Sequence, residues 1–290
     1  MKKLTIAILF VLAFSLAAFS QAPQEKSATV FGAKIRYLEA GEASKPKVIL
    51  LHGLGANAES WQANPAASNI AAMAQKYHVI APDQIGFGKS DKPFLKYRVG
   101  TFVDFLDKFM SELKIEKASL VGNSLGGWVA GLMAVKYPHR VEKLVLVDAA
   151  GLEPATIDFN RVYQLNNSTR DEIRANLKLI FANPLFHNDT LVDQFMTLRV
   201  MTNDGNTINS LIESIRRKED FLDSELGKIQ KPTLIIWGRQ DGLLPLSDGE
   251  KFNKGIAGSQ IVVFDPCGHV PQFEKAAEFN QKVLEFLEKN

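Results

Sequence analysis

The 290-residue chain is 46% hydrophobic, 9% aromatic and 23% charged, enough apolar content for one large domain or two small ones and too much for a disordered or collagen-like chain. Its 34 basic and 32 acidic residues leave a formal charge of +2, which gives no electrostatic footprint for a nucleic-acid partner. The single cysteine, Cys267, can close no disulfide within the chain, and no thiol cluster exists to hold structural zinc or an iron–sulfur centre.

In chain order, the first predicted element is a leader over residues 1–20. Met1-Lys2-Lys3 is followed by an apolar run from Leu4 to about Phe19 and by small residues at Ala17, Ala18, Ser20 and Ala22. That is the layout of a secretory signal, with an apolar stretch shorter than the roughly 20 residues that span a bilayer comfortably. Cleavage after Ser20 or after Ala22 fits the small-x-small pattern, so the sequence predicts export, periplasmic or secreted. The alternative is an uncleaved N-terminal anchor. Removal after Ser20 takes Lys2 and Lys3 with it and leaves 32 basic against 32 acidic residues, so the opening surplus belongs to routing. No other run of 18 apolar residues occurs, and no stable membrane insertion is expected after cleavage.

Downstream, short apolar and β-branched runs alternate with helical patterns. Strands are predicted at Lys34–Glu39 and Val48–Leu51, the second closed by His52-Gly53-Leu54-Gly55. A third, Val79–Ala81, leads into Asp83-Gln84-Ile85-Gly86-Phe87-Gly88-Lys89-Ser90. There Gly88-Lys89-Ser90 resembles the tail of a phosphate-binding loop, but Asp83 stands where the first glycine is required, so the segment reads as a turn. A helix over Thr101–Leu113 precedes the strand Ser119–Val121, and Gly122-Asn123-Ser124-Leu125-Gly126 joins that strand to a helix over Leu125–Tyr137. The strand Leu144–Val147 ends at Asp148.

From about Leu152 to Gly227 the alternation stops, and apolar positions such as Ile173, Leu177, Ile180, Phe181, Leu191, Phe195, Leu211 and Ile215 fall at helical spacings. Strands resume at Thr233–Trp237, ahead of Asp241, and at Ile261–Phe264, ahead of Asp265-Pro266-Cys267-Gly268-His269. Helices are predicted over Ser247–Gly255 and Lys275–Lys289, the last with Phe279, Val283, Phe286 and Leu287 on one stripe. Several strands are apolar throughout, as parallel strands covered on both faces are. The fold class is therefore α/β: a doubly wound, mostly parallel twisted sheet with helices on both faces. Residues 21–151 and 228–290 form its core, and 152–227 form a helical cap over the carboxyl ends of the strands, where open sheets bind ligands.

Gly122-Asn123-Ser124-Leu125-Gly126 is G-x-S-x-G between strand and helix, the setting in which a serine on a strained turn exposes its hydroxyl and flanking glycines relieve the crowding. A serine hydroxyl is a weak nucleophile at neutral pH and needs a base, which in turn needs an orienting acid. Of the five histidines, His269 lies in a loop at the carboxyl end of the last strand. His78 falls at the wrong end of the sheet and His139 in a surface turn, both read as solvated, while His187 in the insertion is a weak alternative. Asp241 is the preferred acid, and Asp148, also at the upper edge of the sheet, is its competitor. The Leu54 and Leu125 amides are the candidate oxyanion hole, with His52 bracing the first of those turns. Cys267 lacks an elbow and reads as a small packed residue. The histidines are not spaced as metal ligands and no H-E-x-x-H occurs, so neither metal nor cofactor is expected.

Taken together, His52-Gly53-Leu54-Gly55, Trp61, the Asp83–Ser90 segment, the Ser124 elbow, Asp241 and Gly268-His269 resemble the α/β-hydrolase family with a helical cap, over about Lys34 to Leu287. The resemblance implies hydrolysis through a covalent acyl-enzyme at Ser124 on a small-molecule acyl substrate. Within that family, Gly122-Asn123-Ser124-Leu125-Gly126-Gly127 and Cys267-Gly268-His269, with Glu274 and Phe279-Asn280, resemble the carbon–carbon bond hydrolases of aromatic ring-fission products. Those enzymes usually carry tryptophan after the catalytic histidine, where this chain has Val270. With that departure and the export signal, carboxylic-ester hydrolysis ranks first, carbon–carbon hydrolysis of vinylogous diketones second, and a non-catalytic ligand-binding role third. An aspartate-nucleophile reaction on the same fold is disfavoured by Ser124.

Overall fold

The computed structural model describes residues 22–64, 66–154 and 165–289; the leader and Phe159 of the insertion lie outside them. Eight strands, β1 (Gln24–Val30), β2 (Ala33–Ala40), β3 (Lys47–Leu51), β4 (His78–Pro82), β5 (Ala118–Asn123), β6 (Val141–Val147), β7 (Thr233–Gly238) and β8 (Gln260–Phe264), form one sheet in the order β1-β2-β4-β3-β5-β6-β7-β8. β1 pairs with β2 and β2 with β4 antiparallel; every other pairing is parallel.

The sequence predicts no strand before Lys34, yet β1 is there. It is an exposed edge strand, so its outward positions are polar and its inward ones few, and the apolar run that marks the central strands is missing. A two-residue turn joins it to β2, with Phe31 at φ 49° and Gly32 at φ 83°, the paired positive values that match hairpin twist.

The inner strands alternate between two apolar layers. Ile49 and Leu51 of β3 face α2 (Val99–Glu112) and α3 (Leu125–Lys136); Val48 and Leu50 face α1 (Asn69–Ala74) and α9 (Ala276–Glu288). The predicted stripe of α9 is buried as expected, Phe279, Val283, Phe286 and Leu287 all lying in the second layer.

Between β6 and β7 the described chain forms three helices: α4 (Arg170–Ile180), α5 (Asp189–Thr202) and α6 (Gly205–Arg216). Ile173 and Leu177 of α4 and Val192 of α5 build a small cluster of their own with Phe181, against Val270 and Phe273. Ile208, Leu211 and Ile212 of α6 instead join the main core, so one helix of the inserted stretch is fastened to the sheet layer. Two further helices complete the chain, α7 (Leu246–Gly255) and the short α8 (Pro271–Glu274).

Candidate active site

β5 ends at Asn123 and α3 begins at Leu125, so Ser124 alone makes the turn, at φ 54° and ψ −117°. Such a backbone is strained for any residue with a Cβ and costs on the order of 1–3 kcal/mol unless its surroundings enforce it. They do: Ser124 N–H donates to Val147 O at 3.0 Å, and its carbonyl accepts from Trp128 and Ala150 N–H, both at 3.1 Å. The turn also requires its glycines. A Cβ on Gly122 would stand 2.2 Å from Gly126 O, and one on Gly126 would stand 2.1 Å from Leu51 O. The first amides of α3 have no intrahelical acceptor and point, with the positive end of the helix, toward the serine.

The His52-Gly53-Leu54-Gly55 turn closes β3 next to the elbow: a Cβ on Gly53 would lie 3.3 Å from Ser124 Cβ. His52 is buried, and its Nε2 accepts the Gln84 N–H at 3.0 Å. That leaves Nδ1 as the protonated nitrogen, donating to Gly53 O at 2.8 Å, while Gln84 Nε2 donates to His52 O at 2.8 Å. Burial lowers the affinity of this ring for a second proton, an effect partly opposed by Asp83. His52 thus braces the turn, and Asp83 braces the next segment by accepting from Ala58 and Lys89 N–H at 2.7 and 2.8 Å.

His269 Nδ1 lies 2.7 Å from Asp241 Oδ2. With Nδ1–H donating, Nε2 is the basic nitrogen, the tautomer that proton transfer from a serine requires. Asp241 Oδ1 accepts from Leu243 and Leu244 N–H at 2.8 and 3.0 Å, so its charge is held by two amides besides the imidazole. The Asp-Gly pair therefore forms a turn and presents the acid at once. Asp148 does not contact the ring by a hydrogen bond; it is fully buried and its Oδ1 accepts from Gly238 N–H at 2.9 Å.

Several groups that position these loops have no role assigned by the sequence alone, although Asn123 and Glu274 stand in the motifs quoted above. Asn123 Nδ2 reaches Val147 O at 3.2 Å and His269 O at 3.1 Å, tying the elbow to the histidine loop. Glu274 accepts from Gly268 N–H at 2.7 Å and, through its other oxygen, from Asn183 N–H at 3.0 Å. The carboxyl end of α4 completes the frame: Leu179 O accepts from Gly242 N–H at 3.0 Å and Ile180 O from His269 N–H at 2.7 Å. The Asp241 and His269 loops are thus both wired to carbonyls at the end of an inserted helix, which a helix end leaves without internal partners. Their residue types, Asn, Glu and backbone, carry no spacing signal that would set them apart in a single sequence.

Above the oxyanion turn hangs Arg199 of α5. Its Nη1 is 3.9 Å from where a Gly55 Cβ would stand, and it pairs with the buried Asp204 and with Asn166. Burial raises the Asp204 carboxyl above its ordinary range, with Arg199 opposing the rise.

Placement bears on four expectations for the histidines and the cysteine. His78 is a correction: it is buried, not solvated, because β4 is an inner strand between β2 and β3, and its Nε2 lies 2.9 Å from Glu39 Oε1. His139 is exposed as expected, and the His187 ring bonds Phe181 O at 3.0 Å. Cys267 is fully buried, with its thiol pushed far up by burial and then by Glu274, so it is no thiolate. Among the described residues no helix is long and apolar enough to cross a membrane.

A serine on a strained strand–helix turn, an Asp-oriented histidine and a glycine turn beside them, on a mostly parallel eight-stranded sheet, define a hydrolase of the α/β class. The alpha/beta hydrolase fold family model matches residues 46–276, and the chain belongs to that family. It is 33% identical to a 2-hydroxy-6-oxononadienedioate/2-hydroxy-6-oxononatrienedioate hydrolase of Escherichia coli K12, over 88% of this chain and 91% of that one. Among solved structures it is similar to a meta-cleavage product hydrolase of Pseudomonas fluorescens IP01 (30% identity, TM-score 0.81, 90% of this chain and 97% of that one). It is also similar to a bacterial membrane phospholipase A (30% identity, TM-score 0.79, 92% and 86%). The relatives favour carbon–carbon hydrolysis over the ester hydrolysis that the sequence alone ranks first.

Proposed function

We propose that this protein is a serine hydrolase that cleaves the carbon–carbon bond beside the keto group of a vinylogous diketone bearing a carboxylate. The relationship to ring-fission-product hydrolases over nine-tenths of both chains carries this reading. In it Ser124 is the nucleophile, His269 the base and acid, Asp241 the orienting group, and the Leu54 and Leu125 amides hold the oxyanion. Water is the co-substrate: one carbon–carbon bond is exchanged for a carbon–hydroxyl and a carbon–hydrogen bond. The acyl half is the same problem as in an ester, an oxyanion held by preorganised amides. The other half differs, because a carbon leaving group needs a conjugated carbonyl to take its electrons and a proton from His269. Arg199, poised over the oxyanion turn, is the group that would receive the substrate carboxylate in exchange for Asp204.

A second reading, carboxylic-ester hydrolysis, is supported by Val270. This residue packs with Phe273 against the cap cluster and leaves an aliphatic wall beside His269 where the carbon–carbon hydrolases usually have tryptophan. The phospholipase similarity points the same way. Turnover of a 2-hydroxy-6-oxo-dienoate, followed by loss of its conjugated absorbance alongside p-nitrophenyl esters of several lengths, separates the two. We read residues 1–20 as an export signal; a purified mature protein beginning at Gln21 or Pro23 supports this, and one beginning at Met1 contradicts it.

A further inference from the structure

Asp148 has no part in the reaction as described, yet it lies against the acid that does. It ends β6 with backbone φ 40° and is wholly buried. Its Oδ1 accepts one amide, from Gly238, and its Oδ2 has no hydrogen-bond partner among the described residues. One oxygen of Asp148, one of Asp241 and a ring nitrogen of His269 all lie within 4.8 Å of one another.

We propose that Asp148 and Asp241 hold a single negative charge between them, with the proton resident on Asp148, which makes Asp148 a positioning residue for the acid that orients His269. Two carboxylates this close in a dry pocket cannot both ionise cheaply. The proton goes to the acid with fewer donors: Asp241 has the Leu243 and Leu244 amides and the His269 ring, whereas Asp148 has one amide. Of the other ionisable groups that act on Asp148 or sit beside it among the described residues, Glu274 is a further acid and Cys267 a buried thiol. Burial first, and then the charge on Asp241, push the Asp148 carboxyl well above the usual carboxylate range.

A neutral Asp148 fills the space behind Asp241 with a polar group and keeps water out without adding a second charge. The proposal shares the triad of the proposed function but not its substrate, and its test needs no turnover.

The test is difference infrared spectroscopy of the full chain at neutral pH, reading the carbonyl stretch of a protonated carboxylic acid, which is separate from the bands of ionised carboxylates. The native protein is expected to show this band, sensitive to deuteration, and Asp148→Asn to lack it. In Asp241→Asn the band is expected to weaken at neutral pH and return on acidification, because the like charge that kept Asp148 neutral is gone. No difference between native and Asp148→Asn, or an Asp241→Asn band as strong as the native one, overturns the proposal. Should a variant not fold, carboxyl-carbon NMR of the native chain with labelled aspartate decides: one carboxyl titrating far above the others supports the pair, and all titrating together overturns it. A protein that shows the band but cleaves neither diketones nor esters would refute the proposed function alone.

Discussion

Ser124 spends backbone strain to expose one hydroxyl, and only the glycines around it make that geometry attainable. Gly126→Ala forces a methyl against Leu51 O, so it is expected to lower stability and activity together, read by thermal unfolding and turnover. Asp241→Asn keeps the shape of the acid but removes the charge and favours the wrong imidazole tautomer, so turnover is expected to fall by up to about 10⁴-fold, measured as kcat/KM. A smaller loss would be the mark of Asp148 ionising in its place, and the double variant with Asp148→Asn would then fall further. His52 sets a pH dependence. It is neutral and buried in the fold, whereas in the unfolded chain it protonates near its ordinary value of about 6.5. Below that pH the unfolded state binds more protons, so stability is lost as pH falls. The thermal midpoint should therefore decline on acidification, and less steeply in His52→Gln. Equal slopes would contradict the assignment.

The elements that carry the site differ in how openly they declare themselves. β3, β5, β6 and β7 are short apolar runs ending in chemistry-bearing turns, and their covering helices show one apolar stripe each, so periodicity finds them. β1 escapes because an edge strand has only one partner and a mostly wet surface. The candidate triad is legible for the same reason as the central strands: Ser124, Asp241 and His269 each follow a recognisable strand. What holds the triad is not legible, because Asn123, Glu274 and the α4 carbonyls act through loop contacts between residues far apart in the chain. The helix α4 starts with a reciprocal cap, Thr169 accepting from Glu172 N–H at 3.3 Å while Glu172 accepts from Thr169 N–H at 3.0 Å. Thr169→Ala should cost about 1 kcal/mol of local stability, seen as faster amide exchange across α4. Since Leu179 and Ile180 carbonyls anchor both catalytic loops, the same variant should lower kcat more than it raises KM. On the other side of the sheet, Phe279 is wholly buried in the α1–α9 layer, and Phe279→Ala should destabilise the whole fold by about 3–5 kcal/mol in denaturant titration.

At the scale of the whole molecule, the sheet carries Ser124, Asp241 and His269 in turns that follow its strands, and in the proposed function the inserted helices position the substrate. Composition offers no footprint for a nucleic-acid partner and no disulfide, and says nothing about which carbonyl is attacked; in the proposed function that choice falls to the inserted helices beside the Gly53–Gly55 turn. In the proposed function Arg199 is the discriminating residue. Arg199→Met should reduce the ratio of kcat/KM for a carboxylate-bearing dienoate to that for a neutral ester by about 10–10²-fold, the worth of one charge-assisted contact. An unchanged ratio would remove Arg199 from substrate recognition. The most direct test of the central claim is to present the purified protein and its Ser124→Ala variant with a 2-hydroxy-6-oxo-dienedioate and follow the conjugated absorbance and the acid released. The native chain is expected to cleave it stoichiometrically into two acids, and the variant not at all. Intact diketone in the presence of native protein that turns over p-nitrophenyl esters through Ser124 would contradict that claim.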